Sequence, residues 1–480
     1  MSVRFILKDI PEDQQKKIDN LLTFEPILKK YDYSFSFIPS SNIEEKKVKM
    51  YFSKDGIVHL PFWFSAVYYK KYFNQEKKYQ KIFENPNGKF AGKLLPRQIE
   101  PFKKAIEHLN KHRTTTIALY PGFGKTFMGV MLSWYYNLKT CVLVHRDNVG
   151  KAWLKTYKNY FKETLKTPDI KGKKNEVLIS SLMNGENDIT WVDEKGKYNK
   201  DAKIFVVMDT RVKKIDPKIL RSFGMLIIDE AHLFCCKSKV EPMLSFTPKY
   251  VIAESATIQK ANGMEKVIQS ICGPHNIEKI SDKPYNFFLI KTDIEYDFPH
   301  SKNIFNDLLN HRLYNQEMNE IIVKVIESNQ HHKSIIITKF KDHCKIMKEM
   351  IENKGIETSE LYGNKKNYDA KNVLIGTGSK MGVGFDEANF CDDFDGKPSD
   401  LTIITYTSAT WGPFEQLRGR GMRAENPNIL MVADTHNISK KHFRLIKQWI
   451  KKTNGNLIEI NLEDIKDFKL EEMIKLKKKK

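Results

Sequence analysis

A hydroxyl, an amine and two glycines stand together where an apolar run of the chain ends. Thr114–Tyr120 is β-rich and passes into Pro121-Gly122-Phe123-Gly124-Lys125-Thr126, ahead of a stretch with helical patterning that opens at Phe127. Glycines let successive N–H groups close around a phosphate at a helix N-terminus, where the dipole favours anions. In that arrangement Pro121, Gly122, Phe123 and Gly124 cradle the phosphates, Lys125 reaches the β- and γ-phosphates, and the Thr126 hydroxyl binds Mg2+. The usual phosphate-loop pattern opens on a glycine, and Leu119 stands there instead.

Two further clusters follow apolar runs. Asp229-Glu230-Ala231-His232 comes directly after Met225–Ile228. A carboxylate at the tip of a parallel strand points into the crevice where ligands bind. Asp229 suits a Mg2+ partner, and Glu230 suits the base that orients and deprotonates an attacking water. Taken alone, this tetrapeptide could open any helix with acids in its first turn. Ser255-Ala256-Thr257 ends the run Tyr250–Ser255, and three small residues say little without the two clusters before them.

The elements that must position these residues can be read from periodicity. Thr114–Tyr120, Thr140–His145, Lys203–Met208, Met225–Asp229 and Tyr250–Ser255 are nearly continuous apolar runs, as strands buried on both faces of a parallel sheet should be. A second series follows at Ser334–Phe340, Asn372–Thr377, Leu401–Tyr406 and Asn428–Asp434, with a helical pattern at Asn319–Ser328 before it. The fold class is therefore α/β, two parallel-sheet domains in tandem over 93–290 and 291–480. Residues 1–92 lack this rhythm and predict a small separate α+β module, bounded by the turn-rich Asn85-Pro86-Asn87-Gly88. Its stretch His59–Phe73 carries Phe62, Trp63, Phe64, Tyr68, Tyr69, Tyr72 and Phe73 with Lys70 and Lys71, and Lys77 and Lys78 lie just beyond. These residues fit either a core helix with solvated lysines or a surface gripping duplex nucleic acid. The closing lysines, Lys477–Lys480, read as a frayed, solvated end.

Composition narrows the class. With 41% hydrophobic and 29% charged residues, a chain of 480 is globular and too long for one core. No apolar stretch reaches the ~18 residues a membrane helix needs, and charges interrupt the first twenty residues where a secretory signal would be apolar. Eighty Lys+Arg against fifty-nine Asp+Glu give a net charge of +21, which suggests a polyanionic partner, nucleic acid first. Cys141, Cys235, Cys236, Cys272, Cys344 and Cys391 form no CxxC pair, so a reducing compartment is expected, with neither disulfide frame nor zinc finger.

In this order the clusters resemble the superfamily 2 helicase core. PGFGKT is similar to motif I, DEAH to motif II and SAT to motif III. Gly376–Asp386 is similar to motif V and Gln416–Arg423 to motif VI, with Leu417 where the family pattern has arginine. Leu94–Gln98, LLPRQ, resembles the segment preceding motif I in the XPB and UvsW-like branch, which also tends to lack the first phosphate-loop glycine. Layout and size are similar to the poxvirus transcript-release DNA helicases and their relatives in large cytoplasmic DNA viruses. The resemblance covers about residues 93–450.

It implies two RecA-like lobes, with ATP and Mg2+ bound between them. Arg97 and Gln98 would contact the nucleotide, Gln98 reading the adenine edge, while Asp386 contacts the ribose or neighbouring arginines. Gln416, Arg420 and Arg423 would serve catalysis, the arginines reaching the γ-phosphate, where a guanidinium pairs bidentately with phosphate oxygens. Arg418 has an alternative place on a basic face that binds nucleic acid. His232, Ser255 and Thr257 would couple the motifs, and Arg146, Thr210 and Lys339 would hold nucleic-acid phosphates. The implied activity is an ATP-dependent nucleic-acid helicase or translocase. DNA is favoured and RNA is possible as substrate, RNA polymerase or transcription factors are possible partners, and no membrane is involved. A translocase without processive unwinding, an RNA helicase and a catalytically silent scaffold are the alternatives. A viral member would act in the host cytoplasm and could be packaged in the virion.

Overall fold

The computed structural model describes residues 3–6, 10–25, 47–69, 78–83, 90, 92–163, 188–256, 264–296, 303–382 and 385–479. Contacts divide the chain into two compact units, and the main passage from one to the other falls between Lys279 and Ile280.

The N-terminal segment is α+β, as its composition suggested. Strands β1 (Val3–Ile6), β4 (Phe52–Lys54) and β5 (Ile57–Leu60) form an antiparallel sheet in the order β1-β5-β4, and β2 (Thr23–Phe24) pairs with β3 (Val48–Lys49). Asp55 and Gly56, both at positive φ, make the tight turn between β4 and β5. Helix Glu12–Leu22 packs on β2 and β3, and helix Phe62–Tyr68 packs on helix Lys266–Cys272.

The described residues of this segment share a core with the first large sheet. Ile18, Leu22, Val48, Met50, Leu60, Phe62 and Phe64 belong to one continuous core cluster with Leu143, Phe205, Phe223 and Leu226 of the first large sheet. His59 Nδ1 meets the Leu244 carbonyl at 3.2 Å, and the Tyr79 hydroxyl donates to Thr247 O at 3.1 Å. The physical reason is the apolar face of this segment, which is completed by the side chains of the neighbouring sheet. Phe62 and Phe64 are thus core residues, whereas Tyr68 is exposed. The turn 85–88 and Lys70, Lys71, Tyr72, Phe73 and Lys77 lie outside the described residues.

The first large sheet holds seven strands, all parallel: β6 (Thr114–Leu119), β7 (Thr140–Val144), β8 (Ile189–Trp191), β9 (Ile204–Met208), β10 (Met225–Ile228), β11 (Tyr250–Ser255) and β12 (Asn276–Lys279). Their order is β12-β6-β11-β10-β7-β9-β8. Every residue of β6, β7 and β10 is buried, which explains their unbroken apolar runs. Where threonine interrupts the run it is satisfied, as with Thr114 Oγ1 donating to Cys272 O at 2.8 Å.

The second unit repeats the architecture with β13 (Tyr285–Lys291), β14 (Ser334–Thr338), β15 (Thr358–Leu361), β16 (Val373–Thr377), β17 (Leu401–Ile404), β18 (Asn428–Ala433) and β19 (Gly455–Asn461). They run in the order β15-β16-β14-β17-β18-β13-β19, again parallel throughout. A division at 290/291 would cut β13, which is hydrogen-bonded on both sides inside this sheet. The boundary therefore lies earlier, because β13 gains its partners from residues far along the chain. Lys477–Lys479 are not frayed but continue helix Leu470–Lys479, with Leu470 and Met473 in the core, and Lys480 lies outside the described residues. No described helix is long and apolar enough to cross a membrane.

Phe62→Ala should destabilise the first unit by about 3–5 kcal/mol, the usual penalty for emptying a buried phenylalanine site. Denaturant unfolding checks this: a first-unit transition that does not move would restore residues 1–92 as an independent module.

Candidate active site

β6 ends at Leu119, and helix Lys125–Tyr136 begins two residues earlier than its apolar pattern indicated, so Lys125 and Thr126 occupy its first turn. Gly124, at φ 97°, makes the turn into the helix, and a Cβ there would stand 2.4 Å from Gln98 Nε2. Glycine is required at this point for both reasons. Lys125 Nζ donates to Leu119 O at 2.7 Å, which holds the ammonium at the strand tip.

Gln98 is buried rather than solvated. Its Oε1 accepts from Leu95 N at 2.8 Å, capping helix Pro96–His112, and its Nε2 donates to Phe123 O at 2.7 Å. The side chain is a strut between that helix and the glycine loop. Arg97 lies over the Phe123 ring, 5.7 Å from its centroid.

Parallel register carries the acidic cluster to the same edge. Ile228 of β10 is level with Ala253 of β11, and Ser255 of β11 is level with Ala118 of β6. Asp229 therefore emerges beside the glycine loop. Its Oδ2 accepts from Trp153 Nε1 at 2.7 Å and its Oδ1 from Glu230 N at 2.8 Å. Burial, and then the neighbouring Glu230 charge, raise the Asp229 pKa above the ordinary carboxylate range. Glu230 sits at φ 49°, a left-handed conformation that side-chain-bearing residues seldom adopt. Its Oε2 lies 3.3 Å from His232 Nδ1, which also meets Ser255 Oγ at 2.9 Å. The structure thus joins the acidic cluster to the small-residue cluster through His232; Thr257 lies outside the described residues.

Two residues of this site were not singled out from sequence. Trp153, from helix Asp147–Glu163, is fully buried and positions Asp229. Its signal was only a tryptophan on an amphipathic helix. Glu254 had a clearer one, as the single acid inside the apolar run of β11. It has no exposure, and neither carboxylate oxygen has a hydrogen-bond partner among the described residues. A Cβ on Gly129 would come within 2.8 Å of Glu254 Oε1, so the acid lies against helix Lys125–Tyr136. Burial above all, then the Asp229 charge, push its pKa well up, with Lys125 opposing.

In the second unit the arginines separate into distinct roles. Arg418 is fully buried, not part of a nucleic-acid face: Nε and Nη2 each donate at 2.7 Å to Glu415, and the guanidinium stacks over Tyr285. Burial forces that pairing, since an unpaired guanidinium there would be costly. Arg420 donates to the carbonyls of Gln416, Gly382 and Phe385. Arg423 donates to Phe385 O at 3.0 Å and pairs with Asp386 Oδ2 at 3.2 Å, while Gln416 is buried alongside. Both arginines therefore brace the loop after β16.

Known proteins resemble this chain in sequence and in fold. Residues 91–260 match the family model described as Type III restriction enzyme, res subunit. "Putative helicase 161L" of Invertebrate iridescent virus 6 is 26% identical over 412 residues, 80% of this chain and 87% of that protein. "Putative helicase 055L" of Frog virus 3 is 22% identical over 357 residues, 73% of this chain and 75% of that one. The chain is a relative of viral putative helicases. The fold is likewise shared with the solved structure of S. cerevisiae Dbp5 bound to RNA and ADP BeF3, which is 13% identical with a TM-score of 0.51 over 79% of this chain and 92% of that one.

The residues of this helicase relative expected to hold nucleic-acid phosphates lie in three places. Arg146, at the end of β7, is half-buried, and burial lowers its pKa while the Glu230 charge raises it. Its charge is thus felt by the acidic cluster. Thr210 is exposed, in a turn tied down by the buried Asp209, whose Oδ1 accepts from Thr210 N at 2.8 Å. Lys339 is exposed after β14, with Nζ 5.7 Å from the Tyr406 ring centroid.

Glu254→Gln keeps the side-chain shape and removes the titration. A folded-state carboxyl held above its unfolded pKa adds stability below the unfolded pKa, and that contribution drains as pH rises through the folded pKa. The wild type should therefore lose thermal stability relative to Glu254→Gln on going from mildly acidic to alkaline pH. Calorimetry across that range checks this; a difference independent of pH would mean that Glu254 is charged throughout.

Proposed function

We propose that this chain is an ATP-dependent nucleic-acid helicase or translocase that acts on DNA. The observation that carries the reading is the gathering of Lys125, Thr126, Asp229, Glu230, His232 and Ser255 at one edge of the first parallel sheet. Lys125 and the N–H groups at the start of its helix suit the β- and γ-phosphates. Hydroxyl and carboxylate oxygens are the hard donors that Mg2+ prefers, and Thr126 and Asp229 supply them. When bound, Mg2+ would neutralise charge on the phosphates. Trp153 holds the Asp229 carboxylate in one orientation for that role. Glu230 takes the proton of the attacking water, and His232 passes the state of this carboxylate to Ser255.

Arg420 and Arg423 are proposed to stabilise charge on the transferred phosphoryl group, with Gln416 and Asp386 as their neighbours. Gln98 and Arg97 are proposed for adenine recognition. Arg146, Thr210 and Lys339 are proposed to contact strand phosphates, so affinity should depend on salt more than on base sequence. DNA as substrate is supported by the restriction-enzyme subunit for which the matching family is named, and the net charge of +21 supports a nucleic-acid partner of either kind. The LLPRQ segment and the missing first glycine support the XPB and UvsW-like branch, and the poxvirus-like layout supports a setting in viral transcription or DNA remodelling.

ATP turnover measured without nucleic acid, with single- and double-stranded DNA, and with RNA tests the proposal. Stimulation by DNA is expected; stimulation by RNA alone would make the chain an RNA helicase, and no turnover a scaffold. Lys125→Ala should abolish turnover while nucleic-acid binding persists, and wild-type turnover would remove the glycine loop from the mechanism. Glu230→Gln should bind ATP but hydrolyse it slowly, because an amide cannot accept the proton; loss of ATP binding instead would reassign Glu230 to a structural role. Arg423→Ala should lower turnover by about 10³–10⁵-fold, the range for a lost arginine finger. Loss of DNA affinity with turnover intact would place Arg423 on the nucleic-acid face.

A further inference from the structure

A cluster of metal-binding side chains lies at the opposite end of the second sheet from that unit's helicase motifs. The turn between helix Gln316–Ser328 and β14 carries His331 and His332. Asn329 in that turn is fully buried. It donates through Nδ2 to Val325 O at 2.7 Å and Phe468 O at 2.8 Å, and its Oδ1 accepts from Leu470 N at 3.0 Å. The turn is thereby stitched to the start of the last helix, Leu470–Lys479. Glu471 in the first turn of this helix places Oε1 3.6 Å from His331 Nε2 and 3.9 Å from His332 Nε2, while the next acid, Glu472, is occupied by Lys475.

His332 is the ordered member. Its Nδ1 donates to Asp400 Oδ2 at 2.7 Å, which leaves Nε2 as the lone-pair nitrogen. That Nε2 is buried and has no hydrogen-bond partner among the described residues. Asp400 is itself fixed, since its N–H donates to Lys333 O at 3.0 Å at the point where β14 and β17 begin side by side. A carboxylate orienting the far nitrogen of a histidine is the usual outer support of a metal-bound imidazole.

The ligand atoms of His331, His332 and Glu471 all lie within 4.8 Å of one another. Tetrahedral zinc with Zn–N distances of about 2.0–2.1 Å needs donors about 3.3 Å apart. His331 and Glu471 are both exposed and free to swing, whereas His332 is held. We propose that His331, His332 and Glu471 bind zinc, with Asp400 orienting His332 and water at the fourth position. The cation would clasp the last helix to the turn before β14 and so secure Leu470 and Met473 in the core.

The alternative occupant of this geometry is a proton. The Asp400 hydrogen bond raises the His332 pKa, and an imidazolium between Asp400 and Glu471 would need no metal.

The test is a cobalt titration of the full chain, purified without a polyhistidine tag and stripped with chelator. A single saturable equivalent should give the visible ligand-field bands of four-coordinate Co2+, displaced by Zn2+, without the thiolate charge-transfer band that the partly exposed Cys236 would produce. Glu471→Gln, at an exposed position that should not disturb folding, should weaken Co2+ binding at least tenfold. Asp400→Asn should weaken it about 10–100-fold, as loss of an outer-shell partner does. Zn2+ should raise the thermal unfolding temperature of the wild type and leave that of Glu471→Gln unchanged. No saturable cobalt binding, or binding untouched by Glu471→Gln, would overturn the site and leave a protonated His332 in its place.

Discussion

Parallel pairing is the constraint on which the rest of the first unit depends. A sheet covered on both faces leaves only its strand ends open to solvent, so any chemistry must be placed there. Because β6, β11 and β10 run side by side in one direction, residues distant in sequence leave the sheet at one edge and at one level. The glycine loop, the acidic cluster and Ser255 meet through this register. His232 then needs only one hydrogen bond to connect two of them.

The candidate active site and the second unit treat buried charge differently. In the second, Arg418 is matched by Glu415 and Arg312 by Asp434, and the remaining guanidinium nitrogens of Arg312 reach Thr405 O and Val432 O. Such pairs hold elements in place while keeping each desolvated charge compensated. In the first, Asp229 and Glu254 are both acids: burial and then the Glu230 charge raise the Asp229 pKa, and burial and then the Asp229 charge raise that of Glu254. Lys125 is the cation that opposes them, and its ammonium is bonded to Leu119 O. This excess of acid beneath the glycine loop has the sign that a cation-dependent phosphate chemistry requires.

Helix ends and turns do the remaining positioning. Gln98 caps its own helix while bracing the Phe123 carbonyl, so the entry to helix Pro96–His112 and the shape of the glycine loop are coupled through one side chain. Asn329 plays the corresponding part in the second unit, where two hydrogen bonds tie a turn to the start of the last helix and a third holds it to the helix before. In both cases an amide serves because it donates and accepts at once.

The sequence by itself determined nine of the fourteen strands of the two large sheets and the cluster residues. Nine apolar runs became strands to within a few residues, because a strand buried on both faces leaves an uninterrupted local trace. Lys125, Asp229 and Glu230 were legible because glycine spacing and strand-tip acids are local patterns too. The strands β8, β12, β13, β15 and β19 were missed; β12 and β19 expose alternate or most residues, and β8 is only three residues long. Tertiary structure alone decided the rest. It joined the described residues of 1–92 to the first core, turned Gln98 into a strut, buried Arg418 against Glu415, and set Trp153 and Glu254 around Asp229. Each of these depends on which surfaces meet across long sequence separations, and desolvation then dictates the pairing. No local pattern records that, because burial belongs to the assembled fold and not to the residue.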